Sequence, residues 1–360
     1  MKILVINTYS FEKIYQEWVD GQSPSHFLFG SLEVNATEGF QVDILPHSKY
    51  PWLDKLGRVF RITCLDQQVR VLMQLRKYDA IYAPFAIGNT RVLTLFKFLG
   101  LMRTPIIVLG HMNLYDKPKK KPIFDFRKKF LLQYDKIAFL SDGLMNKTIN
   151  ALEAPQEVIK KKFTKLSWGA DITFHKKNEN FVNSRQTEYA ICAGTTDRDF
   201  DLMIETFRDI DFPLEIYCTP ATRPDTSNLP SNISVNSDFI PYIELLKRYQ
   251  KARFILIPIK ADKVVTGRTL GLTVLLDALA INKPAIMTYN KYVDINPGDH
   301  GFGLSVNSFE LEDWKSAVNS LLMDFERLDA MAENANRLYV EKYNSVAFGK
   351  SLVEVFEEIK

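Results

Sequence analysis

The sequence predicts an α/β protein of two doubly wound parallel-sheet domains, and three observations carry that prediction. Short β-rich apolar runs alternate with longer helix-period stretches, which is the signature of parallel α/β layers. At 360 residues the chain exceeds what one hydrophobic core ordinarily serves. The alternation also breaks once, at Ser167-Trp168-Gly169-Ala170-Asp171, and the stretch 175–186 that follows is almost free of apolar side chains. Domains are therefore expected at 1–170 and 186–342, with a last helix near 343–360 returning to the first.

In the first half, strands are expected at 2–7, 41–45, 80–83, 106–109, 136–140 and 164–166. Helices are expected between them at 25–38, 64–76, 90–99 and 123–133. Leu65, Val69, Leu72 and Leu75 recur on one helical face. The second half repeats the scheme, with strands at 189–193, 214–218, 233–235, 254–258, 284–288 and 303–305. Its helices are expected at 200–207, 242–250, 271–281 and 311–325, before a closing helical pattern over 328–359 that is interrupted around 343–345.

Composition narrows the function classes. Apolar residues make up 46% and charged residues 25%, as in a folded globular chain. Cys64, Cys192 and Cys218 are too few and too scattered for a disulfide framework or a zinc site, and the latter two read as buried strand thiols. No window reaches the roughly 18 apolar residues that span a bilayer, and the first apolar run ends at Glu12 and Lys13 without a leader pattern. A cytoplasmic protein is the expectation. The net charge of +3 hides an asymmetry: residues 1–170 hold 25 Lys/Arg against 15 Asp/Glu, residues 171–360 hold 21 against 28. Such a division of sign bears on partners rather than on fold.

In open α/β sheets ligands bind beyond the carboxyl ends of strands, so the loops there carry the chemistry. The first strand exits into Asn7-Thr8-Tyr9-Ser10 without G-x-G-x-x-G, which argues against a nicotinamide dinucleotide enzyme. The strand at 189–193 exits into Gly194-Thr195-Thr196-Asp197-Arg198-Asp199. A glycine turn, two hydroxyls and a forked cation at a helix start are the parts that hold a diphosphate. The competing reading is local: the aspartates cap the helix and Arg198 pairs with one of them. Further on, Thr266-Gly267-Arg268-Thr269-Leu270-Gly271 opens a helix before Lys283-Pro284, again suited to an anion. Asp277, inside that helix, is either on a solvated face or an acceptor for two sugar hydroxyls.

The segment from Gly271 to Met287, with Leu272, Asp277, Ala278, Ala280, Lys283 and Pro284, resembles the nucleotide-binding signature of retaining glycosyltransferases of family 4 and their GT-B relatives. Leu166 to Phe174 resembles that family's interdomain segment, Gly194 to Phe207 its glycine–arginine loop, and Ser237 to Pro241 the stretch before the base-docking helix. The resemblance implies two Rossmann-like domains facing a cleft, and transfer of a sugar from a UDP- or GDP-linked donor to a glycan or lipid-linked acceptor. Retention of configuration, no metal and no bound cofactor are implied with it, in surface polysaccharide or glycoconjugate synthesis. By the same resemblance Arg198 holds the diphosphate beside Gly194, Thr195 and Thr196, Asp277 grips the ribose, and Phe239 and Ile240 line the base pocket. Thr266, Gly267 and Arg268 face the donor. Thr269 stands where the family has a glutamate that touches the transferred sugar. His111, after the strand at 106–109, matches a histidine that touches the donor sugar or phosphate, and His26 lies on the acceptor side. A non-catalytic partner subunit and a sugar-nucleotide epimerase are the alternatives on the same fold.

The stretch from Lys117 to Phe130 interleaves cations with phenylalanines, and Lys160-Lys161-Lys162-Phe163 lies in the same half. That mixture suits peripheral attachment to an anionic inner membrane leaflet, whereas no nucleic-acid motif is present.

Overall fold

Strands of a parallel sheet are covered on both faces, so they read as near-continuous apolar runs rather than as alternations. Twelve such runs form two sheets in the computed structural model, which describes residues 1–85, 87–118, 125–179 and 184–360. The first sheet holds β1 (Lys2–Val5), β2 (Gln41–Ile44), β3 (Ala80–Ala83), β4 (Ile106–Gly110), β5 (Lys136–Phe139) and β6 (Phe163–Lys165), in the order β2-β1-β3-β4-β5-β6. The second holds β7 (Tyr189–Ala193), β8 (Leu214–Tyr217), β9 (Ile233–Asn236), β10 (Ala252–Ile257), β11 (Ala285–Thr288) and β12 (Gly303–Val306), in the order β12-β11-β10-β7-β8-β9. Every pairing is parallel.

The chain divides into two compact units. One comprises Met1–Gly21, Ser25–Trp168 and Ser345–Lys360, the other Gln22–Pro24 and Gly169–Asn344. In the first unit the direction of winding reverses between β1 and β3, and in the second between β7 and β10. Those reversals open crevices at the carboxyl ends of the flanking strands. A large apolar cluster fills the second unit, with Phe200, Phe207, Phe254 and Trp314 enclosed between sheet and helices.

The helix expected over 25–38 is instead two short pieces, a 3-10 turn at Ser25–Leu28 and an α-helix at Ser31–Asn35. Phe29 and Gly30 both take left-handed backbone conformations, which breaks the helical register between them. The helix expected over 123–133 spans Phe126–Leu131, and residues 119–124 of the basic stretch lie outside the described residues. The closing pattern is two helices, Phe325–Glu341 and Ser345–Glu357. Lys136 of β5 bonds Glu358 just beyond the latter, within the first unit. Among the described residues no helix is long and apolar enough to cross a membrane.

The Ser345–Glu357 helix meets Ser31–Asn35 at Gly349, where an added Cβ would land inside the contact shell of Glu33 Cβ. We expect Gly349→Val to prise the two helices apart and destabilise the first unit by about 2–3 kcal/mol, read as a lowered urea midpoint.

Candidate functional site

At the reversal point of the second sheet, the loop leaving β7 and the loop leaving β10 are fastened to each other. Arg198 and Ile259 form an antiparallel bridge, Asp199 N–H donates to Pro258 O at 3.0 Å, and Lys260 N–H donates to Asp197 O at 3.1 Å. Asp197 turns the chain in a left-handed conformation, and Asp199 caps the following helix, Phe200–Phe207, by accepting from Leu202 N–H. The local reading is thus right for Asp199 and wrong for Arg198, because the carboxylate of Asp197 lies 3.8 Å from Arg268 instead.

Arg198 itself is the unusual group. Its side chain folds back over Gly194, where a Cβ would sit 2.9 Å from its Cγ and Nε, so any larger residue before the two threonines would have to displace the arginine. The residue is only 7% exposed. Its Nη1 donates to Thr196 O at 3.3 Å, whereas its Nε has no partner, and no carboxylate among the described residues comes within ion-pair distance. Burial pulls its basicity down from the ordinary guanidinium value. Burial thus leaves this cation with a donor that lacks the hydrogen bond a buried polar group ordinarily makes.

More cations gather on the same edge. Lys260 is joined to the β7 loop through its backbone, and Lys263 pairs with Asp262 at 2.7 Å while feeling both Asp197 and Arg268. Arg268 is held by its carbonyl, which accepts from Asn290 Nδ2 at 3.1 Å beyond β11. Thr195 and Thr196 are exposed with their hydroxyls 3.5 Å apart, and Thr266 turns its hydroxyl onto Lys263 O. Gly267 and Gly271 are both left-handed. Gly271 opens the Leu272–Ala280 helix over the ends of β10 and β11, so close that a Cβ would meet Met287 Cε at 2.8 Å and Ile257 Cγ2 at 3.0 Å. The N-cap of that helix, Gly271, lies two residues beyond Thr269 and has no side chain to offer it. The structure therefore brings Gly194 to Arg198 and Thr266 to Thr269 to one edge. Sequence reasoning missed Lys260 and Lys263, whose only signal was a pair of cations immediately after the β10 run.

Asp277 needs a correction. It does not lie on a solvated face: it is buried, and Tyr242 Oη donates to its Oδ1 at 2.6 Å. Burial pushes its carboxyl up to about 7, against the opposing pull of that hydrogen bond. Phe239, just past β9, stands 92% exposed, with Ile240 half-buried beside it. His111 belongs to the first unit, half-buried at the end of β4 with its ring edge-on to Phe85 at 4.4 Å. Buried Asn7 and Asn89 follow β1 and β3 at that unit's own reversal point, and neither amide atom of Asn89 has a partner among the described residues. His26 is buried, its carbonyl accepting from Trp168 Nε1. Among the described residues no cluster of His, Cys, Asp or Glu could hold a metal ion.

No family model matches the chain, and no curated protein matches it. Solved structures do. Anabaena Alr3699/HepE, crystallised in complex with UDP, superposes with a TM-score of 0.68 at 12% identity, over 99% of this chain and 100% of that one. Sucrose-phosphate synthase from Thermosynechococcus elongatus gives 0.66 at 12%, over 99% and 98%. The α,α-trehalose 6-phosphate synthase from Burkholderia multivorans gives 0.64 at 11%, over 100% and 98%. The chain thus has the two-domain Rossmann-like fold of GT-B glycosyltransferases along its whole length.

The raised carboxyl of Asp277 links proton uptake to folding. The native state keeps a proton there up to about pH 7, whereas the unfolded chain releases it near the usual carboxylate value. Stability from this group is therefore present at low pH and lost as pH climbs from about 4 towards 7. We expect Asp277→Asn to match the parent below about pH 4 and to exceed it near pH 8 by on the order of a few kcal/mol in urea unfolding.

Proposed function

We propose that this protein is a glycosyltransferase that moves a sugar from a UDP- or GDP-linked donor onto a glycan or lipid-linked acceptor. The observation that carries the reading is Arg198, buried without a counter-anion at the reversal point of the second sheet. A diphosphate supplies the missing charge, and the exposed hydroxyls of Thr195 and Thr196 stand beside it as donors.

The chemistry follows from that placement. The anomeric carbon loses its bond to the diphosphate oxygen and gains one to the acceptor oxygen, and the acceptor proton leaves with the departing diphosphate. Negative charge grows on the leaving group as the bond breaks, and groups already fixed around it lower the barrier most. Arg198 would meet that charge directly, with Lys260, Lys263 and Arg268 adding to the field and the uncapped helix start at Gly271 contributing its dipole. In this reading protein cations do the work a metal performs elsewhere. Attack on the face the leaving group vacates retains configuration, as in family 4, whose pattern the Gly271-to-Met287 segment resembles. Phe239, exposed as it is, is offered to the base as a stacking surface, and His111 keeps the donor-contacting role given to it by resemblance. A lipid-linked acceptor would fit a chain held at the inner leaflet in surface polysaccharide synthesis.

One alternative has its own support. Thr269 lacks the carboxylate expected next to the sugar, and Asp277 is covered by Tyr242, as in a partner subunit relieved of catalysis.

Titration of UDP, GDP and ADP by calorimetry tests the assignment, with Arg198→Met as the variant. A buried unpaired cation destabilises the fold, so its replacement by an apolar side chain of similar volume should hold or raise the melting temperature. The same change should weaken the preferred nucleoside diphosphate about 10- to 100-fold, the worth of a charge-assisted hydrogen-bond pair. Melting at a lower temperature with unchanged affinity would make Arg198 structural and sink the reading. Absence of binding by all three nucleotides would favour the partner subunit.

A further inference from the structure

The Pro51–Val59 helix of the first unit is built inside out. Its inward side carries only the half-buried Leu53 as an apolar group: Gly57 is buried, with room for no side chain against Ile62 O and Leu65 Cβ, at 2.5 and 2.9 Å from where a Cβ would lie. Asp54 on the same side accepts from Asp66 N–H at 3.1 Å and from the Ser48 hydroxyl at 2.8 Å. The outward side is apolar. Trp52 is 63% exposed, Leu56 44% and Val59 75%, and Phe60 in the following turn is 64% exposed. The spacing i, i+4, i+7, i+8 puts all four on one stripe. A helix of a water-soluble domain turns its apolar stripe to the core, and a contiguous exposed one marks an interaction surface.

The stripe has a charged border of one sign. Between Lys49 and Arg61 stand four cations, Lys49, Lys55, Arg58 and Arg61, all exposed. The only carboxylate in that stretch is the inward-facing Asp54. Topology extends the surface. The connections β2 to β3, β3 to β4 and β4 to β5 cross the sheet in one direction, and right-handed crossovers place their helices on one face. The Arg91–Phe98 helix on that face exposes Leu95, Phe98 and Leu99, and the Phe126–Leu131 helix exposes Phe126. Arg91 Nη1 donates to Arg61 O at 2.7 Å, tying the first of these helices to the turn after Phe60.

We infer that this face of the first unit docks on an anionic lipid bilayer, with the Pro51–Val59 helix lying in the plane of the interface. An apolar stripe carrying a tryptophan and edged by lysine and arginine is what an interfacial helix presents to acyl chains and headgroups. Charge decides against a second copy of the chain, because a two-fold contact through this stripe would bring Lys55, Arg58 and Arg61 against their own images. The inference rests on the surface alone and stands whether or not the second unit binds a nucleotide.

Flotation of the full chain with vesicles tests it, using phosphatidylcholine alone and an equal mixture with phosphatidylglycerol. The chain should float only with the anionic vesicles, less so at high salt, with a blue shift of tryptophan emission that Trp52→Phe removes. Leu56→Glu with Val59→Glu should weaken partitioning about a hundredfold. Lys55→Gln, Arg58→Gln and Arg61→Gln together should do the same, at roughly fivefold for each cation. These side chains are exposed, so melting temperature and nucleotide affinity should not move. Equal flotation with both vesicles, no flotation, or flotation indifferent to the variants would overturn the inference. So would a dimer in sedimentation velocity that Leu56→Glu splits, since a second copy would then be the occupant.

Discussion

A guanidinium buried without a carboxylate is the constraint on which the second unit turns. Leaving a charged donor idle in a low-dielectric site costs several kcal/mol, and a fold tolerates it only where neighbouring structure over-determines the geometry. Here the bridge between Arg198 and Ile259 and the bond from Lys260 to Asp197 fasten two strand-end loops that lie 60 residues apart in sequence. Glycine at 194 lets the side chain lie flat. Asp197, left-handed in its backbone, places its carboxylate 3.8 Å from Arg268. Each of these features is a poor choice for stability alone and a consistent one for keeping a cation waiting.

The strands were legible because both faces of a parallel sheet are covered, so the apolar runs at 189–193 and 254–258 announce themselves without any periodicity. The site was legible only in pieces. Gly194, Arg198, Thr266 and Arg268 could be picked out one loop at a time, because glycine beside a cation at a strand end is a local pattern. Nothing local says that Lys260 is joined to the Asp197 loop, since that depends on β7 and β10 being neighbours across the reversal. Asp277 shows the same limit. Its helix reads as apolar with one carboxylate, and whether that carboxylate meets water, a ligand or Tyr242 is decided by the Tyr242–Lys251 helix. The break at Phe29 and Gly30 escaped because two consecutive left-handed residues leave no mark on hydrophobic spacing.

Periodicity also hides direction. The stretch 51–60 has an amphipathic pattern, and such a pattern is ordinarily taken to face the core. The inversion becomes visible only once Gly57 and Asp54 are seen against the residues they touch. The basic excess of residues 1–170 then gains a location: several of its cations edge an apolar face rather than forming a diffuse positive surface.

Among the buried ionisable groups of the second unit, Asp277 and Arg198 respond to their burial in different ways. Asp277 can relieve its burial by taking a proton, and Tyr242 helps hold what charge remains, so the cost is settled within the fold and appears as a pH dependence. Arg198 has no such exit, because a guanidinium does not give up its proton in the accessible range. In the proposed function its cost is met from outside, by a diphosphate that binds the native state and not the unfolded one. On that reading ligand binding stabilises the second unit by linkage, growing with the logarithm of ligand concentration over its dissociation constant. On the same reading solvent protons and a ligand act on the second unit through different residues, the protons through Asp277 and the ligand through Arg198.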